Sequence, residues 1–494
     1  MNMNAKSLIA VSIAATPLLI SPAGAAGIQL TPIENLGKHV FFDPISIGNN
    51  VQGCFSCHDA GKGGVFPDSK VNEGPVVAPG ASIFAQGNIK PPSNAYAFFS
   101  PRFQRDDTIA PPVPPYKGGN FWDGRAEGWG ITGTPEGDTT EAGDTITEAD
   151  LPPSKVAAYK KYLGPTADQA LRPFLNNLEQ NTQAWNVCQH VRTGPYSTLY
   201  RQAYGESINC SSLPKSNPRY ITSYKRLAVA LAAWQGSADL SSFSSKRDKA
   251  IAYEAKFENP VTFPLRQLTA QENLGHDIFY GITSDLNPRG ANARCTTCHT
   301  GVPEGDVLFA PPNVAGPPSF NARAGTEPRQ LYADNLYHNI GVPYNREMPA
   351  AEGSNLGLAK HVPVAEVPVA GEFRTPTLRN VSKGVSSTFT KAYTHNGWFK
   401  SLKSLVHFYN TRDAGPRAQL NFPGIAKCED LNPPIFNATE KEALANNCWP
   451  KAEGNAEATK AGFVMGDLGL TDAEEDAIVA YLKTLDDEHT PTAP

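Results

Sequence analysis

Apolar and polar positions follow the same lead-in at two places in the chain. Leu30–Gly37 reads LTPIENLG and Leu268–Gly275 reads LTAQENLG. In each, a threonine followed three residues later by glutamate (Thr31 and Glu34; Thr269 and Glu272) is the pattern of a capping box, which satisfies the first free N–H groups of a helix. Pro32 stands at the first helical position, where its missing N–H costs nothing. An apolar-aromatic patch follows each copy: Val40, Phe41, Phe42, then Ile278, Phe279, Tyr280. The repeat therefore predicts that each half opens with a capped helix and runs on into a loop. An alanine-rich stretch, Tyr224–Gln235, predicts a helix that closes around Trp234. Thr471–Leu485 predicts another, with a Thr471/Glu474 capping box and Ile478, Tyr481, Leu482 and Leu485 on one face, a stripe read as core. Alternation of the strand type is scarce, and 42 Gly with 43 Pro imply long irregular segments. The expected fold class is mainly α, with helices joined by long loops.

Hydropathy also marks the N-terminus. Lys6, the apolar run Leu8–Ile20 and the small residues Ala23, Gly24, Ala25 and Ala26 read as a signal peptide over residues 1–26. A frayed terminus and a membrane anchor are the competing readings. No later stretch is apolar enough for a transmembrane helix, so the mature chain is expected to be soluble and exported, most simply to the periplasm. A length of 494 residues allows two or three domains. The expected boundary lies near Asn259–Leu265, where two prolines interrupt the pattern, giving units 27–262 and 263–494. The net charge of −5 points to neither nucleic acid nor an anionic membrane surface. Gly130–Pro153 is acidic and is read as a solvated loop, or else as a docking patch for a basic partner.

Each capped helix leads to one chemical motif, C-x-x-C-H: Cys54, Cys57, His58 and Cys295, Cys298, His299. Two cysteines at this spacing can form thioethers with the vinyl groups of a haem, and the next histidine reaches the iron. A zinc site would need a second pair of ligands close by, which neither copy has. A chance or redox motif is the other alternative, and two copies in an exported chain argue against it. The residues thus read as a c-type cytochrome with two haems. The remaining cysteines, Cys188, Cys210, Cys428 and Cys448, are even in number, as expected for two disulfides in an oxidising compartment. The local pairings are Cys188–Cys210 and Cys428–Cys448; free buried thiols are the alternative.

Segments across nearly the whole chain resemble the bacterial di-haem cytochrome c peroxidase / MauG family: LGKHVFFDP, CFSCHDAGKGG, FWDGRAEG and RPFLNNLEQN, then LYHNIGV, FRTPTLRN and YTHNGWFKSL. A segment at about 128–168 looks like an insertion. The resemblance implies two c-type cytochrome domains, each of helices and long loops around a covalently bound haem. The first haem is implied to meet peroxide and the second to store and relay an electron. On that pattern Glu179 matches the distal glutamate that moves a proton between the peroxide oxygens, Gln169 a distal glutamine and Pro173 a proline lining the pocket. Asn176-Asn177 replaces the usual Asn-Pro before the glutamate. Trp122 matches the tryptophan between the haems. No histidine occurs between His58 and His190 to cap the first iron, and Gln86 stands near where one would be, so an open first haem is expected.

For the second haem, Tyr409 lies fourteen residues after His395, where the family's peroxidases carry a methionine ligand and MauG-like members a tyrosine. Met348, Met465 and His407 are the alternatives. The resemblance also implies a calcium ion between the haems, held by Asn94 and the carbonyls of Thr390 and Ala392, with Ala392 in place of a usual proline. The expected function is reduction of hydrogen peroxide with electrons from a small cytochrome c or cupredoxin. The alternatives are a MauG-like enzyme that uses a bis-ferryl state to oxidise side chains of a partner protein, and a non-catalytic electron carrier.

Overall fold

The structure, a computed structural model, describes residues 28–49, 51–109, 113–128, 146–215, 218–301, 325–327, 329–351, 353–362, 371–416, 423–455 and 465–494. The expected signal peptide, 1–26, and most of the acidic stretch lie outside them. The described residues are mainly helical, with three pairs of two-residue strands as their only sheets. None of their helices is long and apolar enough to cross a membrane.

Two helix crossings organise the chain, one from each copy of the repeat. The Pro32–Phe42 helix carries its capping box, with Thr31 N–H on the Glu34 carboxylate at 2.8 Å. Its face of Ile33, Leu36, Val40 and Phe41 is buried against the Arg219–Gln235 helix. Burying each of these side chains contributes roughly 1.5–3 kcal/mol. Gly37 is the point of contact: a Cβ there would lie 1.9 Å from the Ala230 carbonyl oxygen and 3.0 Å from the Trp234 Cβ. The second crossing repeats the device. Thr269 and Glu272 cap the Ala270–Tyr280 helix, which crosses Asp472–Lys483. A Cβ on Gly275 would lie 1.9 Å from the Ala477 carbonyl oxygen and 2.9 Å from the Tyr481 Cβ. Ile478, Tyr481, Leu482 and Leu485 are buried there, as their stripe predicts.

The alanine-rich helix begins at Arg219, five residues before the expected start, and the last helix ends at Lys483 rather than Leu485. Both expected disulfides are formed, Cys188–Cys210 and Cys428–Cys448. Each closes a loop of about 20 residues and stabilises by roughly 3 kcal/mol in the chain-entropy picture. Of the expected insertion, residues 146–168 are described, and Ile146, Leu151, Tyr162, Leu163 and Ala167 are buried in the first core.

Buried polar contacts join the N-terminal and C-terminal segments. Asp248 accepts from both terminal nitrogens of Arg379, at 2.7 and 3.0 Å. Burial alone would raise its carboxyl, but Arg379 and Arg247 together hold it below the usual range. Asp487 accepts from the Tyr96 hydroxyl (2.7 Å), Asn380 Nδ2 (3.0 Å) and the Ser244 N–H (2.9 Å).

Two candidate haem sites

The two C-x-x-C-H motifs adopt the same turn. In each, the first cysteine opens a single 3-10 turn, and its carbonyl accepts from the histidine N–H, at 3.0 Å in His58 and 2.9 Å in His299. Each ring is oriented by a backbone carbonyl: His58 Nδ1 meets Gly64 O at 3.1 Å, and His299 Nδ1 meets Tyr332 O at 2.8 Å. A carbonyl can only accept, so Nδ1 carries the proton and Nε2 keeps its lone pair for a metal. Burial also lowers both histidine pKa values, which favours the neutral ring that ligation needs. Gly63 and Gly64 make the return to His58 possible, with φ of 72° and 76°. Two sulfurs and an imidazole in this turn fit covalently attached haem.

Above the first motif, the chain from Arg172 to Thr182 folds into a tight loop. Gln169, at the end of the Pro165–Ala170 helix, accepts the Arg172 N–H on its carbonyl (3.2 Å), and the Pro173 carbonyl accepts the Gln180 N–H (3.2 Å). Glu179 is half-buried, and its Oε1 accepts from Asn176 Nδ2 at 2.8 Å. Its charge helps burial raise the Cys57 thiol, to about 12, and contributes in the same direction at Cys54. The carboxylate therefore lies within electrostatic reach of the first motif. Two neighbouring segments clamp the loop, with the Ala81 N–H on Glu179 O (2.7 Å) and the Ile47 N–H on Gln180 O (3.2 Å). The rim carries Ile47, Val51, Phe55, Ile83, Phe84 and Leu178 as exposed apolar side chains.

The second motif opens on a cavity of about 330 Å³. Cys295, Cys298 and His299 line it together with Tyr409, Met465, Glu372, Lys90 and Trp122. Burial raises the Tyr409 hydroxyl well above its ordinary value, and Cys298 and Cys295 are the next contributors, which sets the phenol beside the motif. Of the alternatives to Tyr409, Met465 shares this cavity. Met348 is buried instead with Val76, Val77 and Ala392, and His407 holds the Glu475 carboxylate at 2.9 Å through Nδ1.

Trp122 is buried and lines the cavity of the second motif. Its indole N–H donates to Lys90 O at 2.8 Å, and its carbonyl accepts from the Arg374 N–H at 3.0 Å. The Lys90 ammonium lies 5.6 Å from the centre of the indole ring. The expected calcium donors are mixed in fit. Asn94 suits a hard cation, because both polar atoms of its buried side chain lack a partner. The Thr390 carbonyl already accepts from Asn72 Nδ2 at 3.0 Å. Between Thr390 and Ala392, the Lys391 ammonium is buried on Lys62 O (3.0 Å) and Asn380 O (2.7 Å).

The model of the di-haem cytochrome c peroxidase family matches residues 32–256. The methylamine utilization protein MauG of Paracoccus denitrificans is 27% identical over 485 residues, covering 95% of this chain and 93% of that one. The chain is thus similar to the di-haem cytochrome c peroxidase family, by the family model in its first half and by MauG along nearly its whole length. The diheme peroxidase BthA of Burkholderia thailandensis is similar in fold, with 24% identity and a TM-score of 0.57 over 95% of this chain and 91% of that one. A tyrosine-to-methionine variant of BthA is 25% identical with the same TM-score, covering 95% and 90%. A MauG-like protein associated with microbial copper homeostasis has 18% identity and a TM-score of 0.52, covering 94% and 92%.

Several residues of the second cavity leave no mark in the sequence pattern. Glu372 is almost fully buried there, with one carboxylate oxygen unpartnered, and burial raises its pKa to about 8. Lys90 is pushed down to about 8 by burial, with Lys400 adding to the effect. Neither has a spacing signature. Asn176 did leave one: it lies three residues before Glu179, a reach that suits a side-chain bond within a turn.

Proposed function

We propose that this chain is an exported, periplasmic di-haem peroxidase. It takes two covalent haems c, one on Cys54, Cys57 and His58 in a domain of residues 27–262, the other on Cys295, Cys298 and His299 in residues 263–494. Hydrogen peroxide is reduced at the first site with electrons that a small cytochrome c or cupredoxin delivers through the second. One peroxide takes up two electrons and two protons and yields two waters. The haem irons supply the redox chemistry. The chain supplies a proton carrier in Glu179, a hydrogen bond to peroxide from Gln169, a pocket wall in Pro173 and an electron path through Trp122. A calcium ion between the sites, on Asn94 and the carbonyls of Thr390 and Ala392, belongs to the same proposal.

The observation that supports this reading is the Glu179 carboxylate, held by Asn176 within electrostatic reach of Cys57. A positioned acid–base group contributes about 10²–10⁴-fold to rate. Glu179→Gln is therefore expected to slow the reaction with peroxide by at least about a hundredfold, with both haems still attached. Stopped-flow kinetics and haem content check this, and a rate equal to the parent's removes Glu179 from the chemistry.

A second reading has its own support. Tyr409 lies beside the second motif, and MauG, similar along 95% of this chain, is named for methylamine utilization. On this reading the oxidising equivalents of peroxide are spent on side chains of a partner protein, and a small donor discharges them slowly.

A further inference from the structure

We propose that Met465 is a second ligand for the iron of the C-terminal haem, exchanging with Tyr409 when that iron changes oxidation state. The inference rests on the reading of Tyr409 as the ligand of the oxidised iron, and it adds a partner that the sequence motifs do not point to.

Tyr409 and Met465 line the same cavity as His299, Cys295 and Cys298. Their main chains are joined, because the Gly466 N–H donates to Tyr409 O at 2.7 Å. Arg412, one turn beyond Tyr409, donates from Nη2 to Met465 O at 3.4 Å and from Nη1 to Ile340 O at 2.6 Å. Met465 is thus held on both sides of its own peptide, and its thioether is the end left to the cavity. Met348 is held elsewhere by Val76, Val77 and Ala392, and His407 is engaged by Glu475. Two other histidines line the cavity, but His338 Nε2 is taken by Asp334 at 2.9 Å and His395 Nε2 by Glu453 at 3.0 Å, so among the described residues Tyr409 and Met465 remain as the donors beside His299 that suit haem iron.

The two donors favour different oxidation states. A phenolate is hard and anionic and suits ferric iron, whereas a thioether is soft and neutral and suits ferrous iron. On reduction by one electron from a small redox protein, the iron–oxygen bond breaks, the phenolate oxygen takes one proton from solvent, and the Met465 sulfur donates a lone pair to the vacated position. Oxidation reverses each change and releases the proton. Each tenfold by which the thioether prefers the ferrous state lifts the midpoint potential by about 59 mV. The site would rest at low potential and hold an electron more firmly once one arrives.

The test uses the full haem-loaded chain, with absorption and electron paramagnetic resonance spectra of the ferric form, absorption of the dithionite-reduced form and a redox titration. Met465→Leu is expected to leave the ferric spectrum of the second haem intact, alter its ferrous spectrum and lower its midpoint potential by about 59 mV or more, at least a tenfold change in preference. Tyr409→Phe is expected to alter the ferric spectrum. Proton magnetic resonance of the reduced parent protein, which needs no variant, is expected to show a strongly upfield methionine methyl signal. Absence of that signal, or unchanged spectra and potential in Met465→Leu, overturns the exchange and leaves Tyr409 in place. A ferric spectrum unchanged by Tyr409→Phe overturns the Tyr409 reading and the exchange with it.

Discussion

Asp168, next to Gln169, shows how burial sets the chemistry of one side chain. Its carboxylate accepts the Gly128 N–H at 3.2 Å, yet burial raises its pKa from 3.8 to about 6. Between those values the folded chain keeps a proton that the unfolded chain has lost, so stability falls as pH rises through that window. The loss amounts to roughly 2–3 kcal/mol at neutral pH. Asp168→Asn keeps an oxygen for Gly128 and removes the charge. It is expected to raise neutral-pH stability by about this amount and to flatten the slope between pH about 4 and 6. Urea unfolding at a series of pH values checks this, and an unchanged slope contradicts it.

At the scale of elements, the two helix crossings depend on one missing Cβ each. Gly275→Ala places a methyl 1.9 Å from the Ala477 carbonyl oxygen, so the helices must separate. The expected loss is about 1–3 kcal/mol. Gly37→Ala should do the same in the first half. Thermal melts on each variant check both, and a parent-like melt contradicts the role. The capped helices were legible in the sequence because they rest on local signals, a Thr/Glu cap and an apolar stripe; their crossings, at the glycine six residues after each cap's threonine, were not. The start of the Arg219–Gln235 helix was not, because Ile221 and Thr222 are β-branched and the gain that holds the first turn comes from packing. The second cavity was legible at His299 and Tyr409, whose motifs fix their places. Met465 was named only as a rival to Tyr409, since it comes from a distant return of the chain, and Lys391 lies in the middle of a stretch read only for its carbonyls. Contacts of that kind have no period or spacing to betray them.

At the scale of the molecule, the segment 390–392 packs onto residues 62–72, where the proposed calcium ion would join the two halves. Lys391 brings positive charge to that junction while it is protonated, and burial lowers its pKa to about 7, so the effect is largest below that pH. Lys391→Ala is therefore expected to tighten calcium binding by tenfold or more, read by calcium titration of chelator-treated protein; equal affinity in both proteins contradicts the influence of Lys391. The same junction carries Trp122, so chelation is expected to slow electron transfer between the sites without releasing either haem.

The central claim is that peroxide reacts at the first haem site and is turned over by electrons from a small donor. The most direct measurement adds one equivalent of hydrogen peroxide to the fully oxidised protein, then reduced small cytochrome c, and follows both by stopped-flow absorption. Rapid loss of peroxide and oxidation of two cytochromes per peroxide are expected, both slowed in Glu179→Gln. Peroxide that is consumed while the donor is oxidised slowly would favour the partner-protein reading, and peroxide left unreacted would contradict the account.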